Sequence, residues 1–128
     1  RFQGHLTGNN CTFAQFGGVA ALNLPQNYIS SMVNIFKSRR DLAYKLCTQS
    51  MDCIKPEGAF YLFPNIKKHL SKNNLSSFDL VEKLLLEKHV AVLPGSAFGL
   101  EGFLRISFAN TEKNITEGIN RINDFLKE

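Results

Sequence analysis

Segments with helical spacing of apolar residues alternate along this chain with short apolar runs typical of β-strands, and this alternation constrains the fold most. In chain order the segments predict helix, helix, strand, helix, strand, strand and helix. Helices with one apolar stripe and strands with one apolar face are buried together when the helices cover the sheet. The sequence therefore predicts an α/β fold, as an α+β layer in which helices cover a small sheet.

Four helices are predicted. Thr12–Leu22 consists of small and apolar residues that allow close packing against another surface. The second helix begins near Pro25, and Ser76 with Asp79 forms a capping box that opens the third. Thr111 is the predicted cap of the last helix. The apolar stripes of the last three helices comprise Ile29, Met32, Val33, Phe36, Leu42, Ala43, Leu46 and Cys47; Val81, Leu84 and Leu85; and Ile115, Ile119, Ile122 and Phe125.

Three strands are predicted between these helices. Ala59–Phe63 is a short aromatic strand, and Val90–Leu93 is a buried strand that ends at the turn Pro94–Gly99. Phe103–Phe108 is the third strand. The polar stretch from Lys67 to Ser77 contains no periodic apolar pattern and is predicted to be a loop.

The composition excludes several classes of protein. A chain of 128 residues with 44% hydrophobic and 20% charged residues has the composition of a globular domain with a single core. No apolar run approaches the about 20 residues that a membrane-spanning helix needs, so no membrane partner is expected. The net charge of +4 comes from scattered Lys and Arg without an RNA-binding pattern, so no nucleic-acid partner is expected.

The histidines and cysteines predict no metal site. The three histidines lie far apart in the sequence, and no cysteine pair has the two-residue spacing of a zinc knuckle. Three cysteines cannot all pair, which favours a reducing, cytoplasmic location. Their apolar or helical surroundings predict that all three are buried and inert. The three are Cys11, Cys47 and Cys53.

One charged side chain lies inside the third predicted strand. Strand alternation places Phe103, Arg105 and Ser107 on one face and the intervening apolar residues on the other. A guanidinium among apolar neighbours is costly unless an anion meets it, and its planar fork suits a carboxylate. Arg105 is therefore either an anion-binding residue or an exposed arginine of an edge strand, and the alternation leaves both open.

A set of segments spans essentially the whole chain and is informative as a set. Its members are Gln3–His5 with Thr7 and Asn9, Cys11–Gln15, Arg39–Asp41, Pro56–Pro64, Val92–Gly99 and Leu104–Ala109. In order and spacing they resemble the C-terminal part of class I, fold type I aminotransferases, in particular the aspartate aminotransferase group of bacteria and plant plastids. The resemblance implies the small C-terminal domain of that fold.

The resemblance also implies roles for individual residues. In this family the arginine at the position of Arg105 holds the α-carboxylate of the amino-acid or keto-acid substrate. Phe60 and Tyr61 match the aromatic segment that lines the substrate side of the pocket. Thr7 and Asn9 match a loop that reaches toward the active site of the partner subunit in the homodimer.

The family's cofactor, pyridoxal 5'-phosphate, is implied for the full-length enzyme and not for this segment alone. The Schiff-base lysine of the family lies in a Ser-Lys-type motif that is followed by a Gly-x-Arg-x-Gly segment, and no such combination is present in these residues. We therefore expect residues 1–24 to pack on an absent large domain and residues 25–128 to form the small domain. Such a segment by itself is expected neither to bind the cofactor covalently nor to transaminate.

The implied activity is transamination between an L-amino acid, with aspartate as the first expectation, and a 2-oxo acid, with 2-oxoglutarate as the first expectation. Prephenate, aromatic and alanine substrates stay open. The alternative is a stand-alone, non-enzymatic α/β module that binds a carboxylate or a partner protein. Such a module would explain the missing lysine without a missing domain.

Overall fold

The structure is a computed structural model that describes residues 3–8 and 10–127. The described residues divide into two compact units, with the boundary between Val33 and Asn34. The first unit contains α1 (Gln3–Leu6), α2 (Thr12–Leu22) and the start of α3 (Gln26–Cys47). The elements after α3, all in the second unit, are β1 (Tyr61–Leu62), α4 (Lys67–Asn73), α5 (Ser77–Lys88), β2 (Leu93–Pro94), a 3₁₀ helix (Gly95–Phe98), β3 (Leu104–Ser107) and α6 (Glu112–Lys127).

Helix α2 has the bounds that the sequence predicts. Its first turn is closed by the hydrogen bond that the Gln15 N–H donates to the Cys11 carbonyl oxygen, at 3.2 Å. None of its side chains is buried, and Phe13 is 80% exposed. The apolar surface of α2 is therefore uncovered.

The described part of the second unit contains a three-stranded antiparallel sheet in the order β1-β3-β2. Tyr61 of β1 pairs with Ser107 of β3, and Leu93 of β2 pairs with Arg105 of β3. The middle strand is therefore the last one in the chain. The mixed α/β architecture with helices around a small sheet confirms the predicted fold class.

All three strands are shorter than predicted, and the prediction of a buried strand over Val90–Leu93 is wrong. Of these residues only Leu93 belongs to a strand, and both Ala91 and Leu93 are exposed. Among the described residues β2 pairs with β3 alone, so it is an edge strand. An edge strand leaves one row of backbone groups and part of its side chains open to solvent.

A helix, α4, forms where the sequence predicts a loop. The Asn65 Oδ1 accepts a hydrogen bond from the Lys67 N–H at 2.9 Å where the helix begins. Leu70 is buried, and Asn74 ends the helix in the left-handed conformation at φ 51°. One buried leucine in a polar segment gives no periodic stripe, so the pattern alone could not predict this helix.

Both predicted N-terminal caps form. The Asp79 N–H donates to the Ser76 Oγ at 3.2 Å, and the Ser76 N–H donates to the Asp79 Oδ2 at 2.9 Å, which completes the capping box of α5. The Asn114 N–H donates to the Thr111 Oγ1 at 3.2 Å at the start of α6. Each cap satisfies a backbone donor that the first helical turn leaves unpaired.

The buried face of α5 differs from the prediction. Leu84 is buried as predicted, but its partner on that face is Leu80. Val81 is only half-buried, and Leu85 is 50% exposed. Because Leu80 and Leu84 lie one turn apart, they share one helical face, and tertiary packing selects this face over the neighbouring one.

The core lies between the helices and one face of the sheet. The predicted stripe of α6 is buried, with Phe125 half-buried at its edge. The Asn123 Nδ2 donates to the Leu46 carbonyl oxygen at 2.9 Å and fixes α6 against the end of α3. The buried hydrophobic residues are Ala43, Cys47, Met51, Leu62, Ile66, Leu70, Leu80, Leu84, Leu104, Ile106, Phe108, Ile115, Ile119, Ile122 and Leu126.

Gly95 is required by close packing, and its replacement tests this part of the fold. A Cβ atom at Gly95 would lie 2.8 Å from the Phe103 Cβ and would overlap the Leu100 carbonyl oxygen. We expect Gly95→Ala to lower the free energy of unfolding by about 1–3 kcal/mol, because backbone atoms must move. Denaturant unfolding of the chain measures this difference.

The matched control is Gly118→Ala, within helix α6. A Cβ at Gly118 meets no atom within 4 Å, and alanine is favoured over glycine inside a helix by about 0.5–1 kcal/mol. This variant is expected to be unchanged or more stable. Equal stability of the two variants would contradict the close approach at Gly95.

Candidate functional site

Strand β3 carries core residues on one face and the candidate site on the other. Leu104 and Ile106 are buried, whereas Arg105 is half-buried and Ser107 is exposed. This is the alternation that the sequence predicts for the strand, and it is confirmed. The core side chains hold the strand in place, so the position of Arg105 is fixed by the packing beneath it.

Arg105 lies between two aromatic rings. Its guanidinium carbon, Cζ, is 4.5 Å from the ring centroid of Tyr61 and 4.1 Å from that of Phe98. Tyr61 pairs with Ser107, so it is the diagonal cross-strand neighbour of Arg105 on the same face. Phe98 follows β2, the strand on the other side of β3. The two rings therefore come from opposite sides of the middle strand.

Within residues 3–8 and 10–127, the guanidinium of Arg105 makes ring contacts but neither a hydrogen bond nor an ion pair. Arg40 and Arg121 differ, because Arg40 pairs with Asp41 at 2.9 Å and Arg121 donates to the Lys88 carbonyl oxygen at 3.1 Å. Arg39 also has a ring contact without such a partner in this part of the chain, but it meets one ring, Phe36, at 5.6 Å. A guanidinium carries five N–H donors in its plane. With rings beside it, Arg105 presents unpaired donors that suit a planar anion bound in bidentate fashion.

Further rings pack around the pair of Arg105 and Phe98. Phe63 meets Phe98 edge to face, with centroids 6.4 Å apart, and stacks on Phe103 at 5.3 Å. The Lys67 Nζ lies 5.4 Å from the ring centroid of Phe103. Aromatic pairs in these geometries stabilise by about 0.5–1.5 kcal/mol beyond their buried area. The candidate site is therefore a packed aromatic surface with one arginine in it.

The segment from Gly95 to Gly102 holds Phe98 in place. The Gly95 N–H donates to the Phe103 carbonyl oxygen at 2.7 Å, and the Leu100 N–H donates to the Gly95 carbonyl oxygen at 3.0 Å. Gly99 ends the 3₁₀ helix at φ 76°, a left-handed conformation that favours glycine. These bonds close the segment on itself, so its aromatic side chain projects from a fixed backbone.

Glu101 anchors the same segment to the start of α5. Its Oε1 accepts the Ser77 N–H at 2.6 Å, and its Oε2 accepts the Ser77 hydroxyl at 2.8 Å. Both hydrogen bonds lower the pKa of the Glu101 carboxyl, and the one from the Ser77 backbone N–H has the larger effect. A carboxylate at a helix N-terminus is also favoured by the helix dipole.

The other site residues predicted from the sequence lie at different places. The ring of Phe60 lies 4.4 Å from that of Tyr61 and 6.4 Å from that of Phe36, so of the two predicted pocket aromatics only Tyr61 has a ring contact with Arg105 in the described residues. Thr7 is exposed in a bend of the first unit. Asn9 lies outside the described residues.

Sequence reasoning did not assign Phe98, Ser77 or Glu101 to the site. The turn Pro94–Gly99 was recognised in the sequence, and it contains an aromatic residue, Phe98, between two glycines. An aromatic residue in such a tight turn could have indicated a side chain positioned for function. The bond between Ser77 and Glu101 joins residues far apart in sequence, so no local pattern predicts it.

The cysteines only partly follow the prediction of inert burial. Cys47 is buried, Cys53 is half-buried, and Cys11 is exposed, which contradicts the prediction for Cys11. The side-chain hydrogen bond with Cys47 lowers the pKa of Cys53 to about 7, with a smaller contribution from the Phe63 backbone. Hydrogen bonding to Cys53 and burial raise the pKa of the Cys47 thiol.

The described residues contain neither a membrane span nor a metal cluster. No helix in this part of the chain is long and apolar enough to cross a membrane. No three His, Cys, Asp or Glu side chains in it are placed to hold a metal ion.

Comparison with known proteins identifies the family. The model of the family described as aminotransferase class I and II matches residues 1–122. The chain therefore belongs to this family, as the set of segments predicts. Because the match includes nearly all of the chain, it covers both units and the whole candidate site.

Individual relatives agree with this assignment. The chain is 44% identical over 124 residues to a probable aspartate/prephenate aminotransferase of Aquifex aeolicus, covering 94% of this chain and 31% of that protein. It is 37% identical over 126 residues to an aspartate aminotransferase of a Bacillus species, covering 96% of this chain and 32% of that protein. The crystal structure of the aspartate aminotransferase from Rhizobium meliloti superposes with a TM-score of 0.90 at 36% identity, covering 98% of this chain and 34% of that one.

The chain spans about a third of the length of these relatives. The full-length enzymes of the family use pyridoxal phosphate. The contacts that the structure describes for Arg105 are the rings of Tyr61 and Phe98, which supply neither an amine for a Schiff base nor an acid for the pyridine nitrogen, so they do not fit that cofactor. They fit a single carboxylate.

Glu101→Gln tests the anchor between the 95–102 segment and α5. The carboxyl has a lower pKa in the folded chain than its ordinary value of 4.5, so it adds stability above pH 4.5 that is lost as the pH falls through the folded value. We expect Glu101→Gln to be less stable than the unchanged chain at pH 7, with the difference shrinking at pH 3. Urea unfolding midpoints at the two pH values measure this.

Glu82→Gln is the control. Glu82 is exposed on α5, the helix to which Glu101 is bonded, and has no described hydrogen bond. Its effect is expected to be small at both pH values. A Glu101→Gln effect that stays constant between pH 7 and pH 3 would contradict an ionised anchor.

Proposed function

We propose that this chain is the C-terminal part of a pyridoxal-phosphate-dependent aminotransferase and supplies the arginine that binds the substrate α-carboxylate. The main support for this proposal is the environment of Arg105. Its guanidinium lies between Tyr61 and Phe98 with no hydrogen-bond or ion-pair partner among the described residues. In a complete binding site, a half-buried cation without an anion beside it is unfavourable. A substrate carboxylate supplies the missing partner.

Arg105 would bind and orient the substrate. Two parallel N–H···O bonds to a carboxylate fix both position and plane, which a single ammonium group cannot do. Fixing the carboxylate holds the Cα–H of an amino acid in one orientation relative to the catalytic groups of the rest of the enzyme. Tyr61 would line this carboxylate subsite, and Phe60 would extend the aromatic wall away from Arg105.

The cofactor chemistry would be supplied outside these residues. Pyridoxal phosphate acts as an electron sink for bonds at Cα when it is bound. The groups around Arg105 suit the substrate and not the cofactor, so this chain would contribute binding and orientation. These residues contain no Ser-Lys-type motif followed by a Gly-x-Arg-x-Gly segment, which supports a division of labour with the longer part of the protein.

Aspartate is the first amino-acid substrate to test, and 2-oxoglutarate the first amino acceptor. Aspartate appears in the names of the Aquifex and Bacillus relatives, and prephenate in the former. The intact protein would be a homodimer in which Thr7 and Asn9 belong to a loop directed at the partner's active site. The cytoplasmic location that the cysteine count predicts stays part of the proposal.

The exposed apolar residues of the first unit support packing on a missing domain. Phe13, Phe16 and Leu22 of α2 are exposed, as are Ile29 and Met32 of α3. An apolar surface of this kind is unfavourable in water and marks a place for another protein surface. We propose that residues 1–24 pack on the large domain and that residues 25–128 form the small domain. The stand-alone module is the less favoured alternative, because the relatives are about three times longer.

Arg105→Met tests the proposed role in the intact enzyme. It removes the charge and the fork but keeps an apolar side chain between the rings. Hydrogen bonds to charged groups contribute about 1.5–3 kcal/mol, so kcat/KM for aspartate should fall about 10- to 100-fold. Steady-state kinetics of purified, cofactor-loaded protein measure it.

Arg121→Met is the matched control, because Arg121 already has partners in Glu117 and the Lys88 carbonyl oxygen. Its kcat/KM is expected to stay within about twofold of that of the unchanged enzyme, since it lies outside the aromatic site. An Arg105→Met enzyme with an unchanged specificity constant would refute the carboxylate assignment.

The native gene product distinguishes the enzyme from the stand-alone module. Its mass is expected to be that of a protein about three times as long as this chain, which is the length of the relatives. The purified protein should carry the visible absorbance of bound pyridoxal phosphate, and aspartate should change that absorbance. A colourless native product of this length would support the module instead.

A further inference from the structure

Phe98 has the shorter of the two ring contacts with Arg105, although the function proposed above assigns it no role. Its ring centroid lies 4.1 Å from the guanidinium carbon, compared with 4.5 Å for Tyr61. We propose that Phe98 is a positioning residue whose ring fixes the plane of the Arg105 guanidinium so that its unpaired N–H donors meet the substrate carboxylate. This inference rests on the proposed function.

The first argument is the geometry of the two rings. Phe98 and Tyr61 come from opposite sides of the middle strand, so a guanidinium between them has little freedom to rotate out of its plane. A free arginine side chain populates many rotamers, and ordering them on binding costs free energy. A guanidinium already held between rings binds a carboxylate with less of that cost.

The second argument is that Phe98 itself is held. Its ring meets the edge of Phe63 at 86° between the planes, and Phe63 in turn stacks on Phe103. The backbone beneath it is closed by the bond from Gly95 to the Phe103 carbonyl and anchored through Glu101 to Ser77. A ring on a fixed backbone can impose an orientation, whereas a ring on a mobile loop would follow its neighbour.

The third argument is the absence of any other orienting group in the described part of the chain. Arg105 has no carboxylate, carbonyl or hydroxyl partner there, so its orientation depends on the two rings and its own backbone. Tyr61 lies on the strand and is fixed by its register. Phe98 is the other ring in contact with Arg105, and a substitution at this position in the turn removes that contact.

The test compares Phe98→Leu with Phe98→Tyr in the intact, cofactor-loaded enzyme. Loss of the ring contact should raise KM for aspartate and for 2-oxoglutarate about 2- to 30-fold, with kcat changed much less. Phe98→Tyr keeps the ring and should restore KM to near the original value. Phe78→Leu, at an exposed ring on α5, should leave both constants unchanged.

A double variant separates positioning from general packing. If Phe98 acts through Arg105, Phe98→Leu should add little to Arg105→Met, whereas independent effects would multiply. Multiplying effects, or unchanged KM values in Phe98→Leu, would overturn the role of Phe98 while leaving the carboxylate assignment intact. An unchanged Arg105→Met enzyme would instead refute the proposed function, and this inference with it.

Discussion

Core and candidate site both depend on the middle position of β3. This strand pairs with β1 on one side and β2 on the other, so its two faces are set by pairing on both edges. Leu104 and Ile106 enter the core, and Arg105 must then point to the opposite face. A slip of one residue would exchange the two faces and bury the guanidinium among the core residues. The register of β3 therefore sets both the stability of the core and the direction of the arginine side chain.

The site obtains its order from aromatic contacts. Exposed ion pairs contribute about 0–1 kcal/mol and compete with a substrate for the same donors. Ring contacts to a cation contribute about 0.5–2 kcal/mol and leave the in-plane donors unpaired. Tyr61 and Phe98 thus orient Arg105 without occupying the atoms that would bind a carboxylate.

Predictions from the sequence succeeded where a local pattern carries the information. The bounds of α2, the caps at Ser76 and Thr111 and the alternation in β3 all follow from residues within a few positions of one another. They failed for α4 and for residues 90–93, because one buried leucine gives no stripe and because edge position is a property of the assembled sheet. For the site, the resemblance pointed to Arg105, Phe60 and Tyr61, of which Arg105 and Tyr61 are in ring contact. The ring of Phe98 on Arg105 and the bond from Ser77 to Glu101 depend on contacts between distant segments.

The sequence by itself determined the family, the caps of α5 and α6 and the face of β3 that carries Arg105, because these depend on motif order, on residues three positions apart and on the two-residue period of a strand. Tertiary structure alone decided which face of α5 is buried, that β2 lies at an edge of the sheet and which rings enclose the guanidinium. Those features depend on pairing β3 with strands from either side and on closing the 95–102 segment over it. Such long-range pairing leaves no signal in the neighbouring residues.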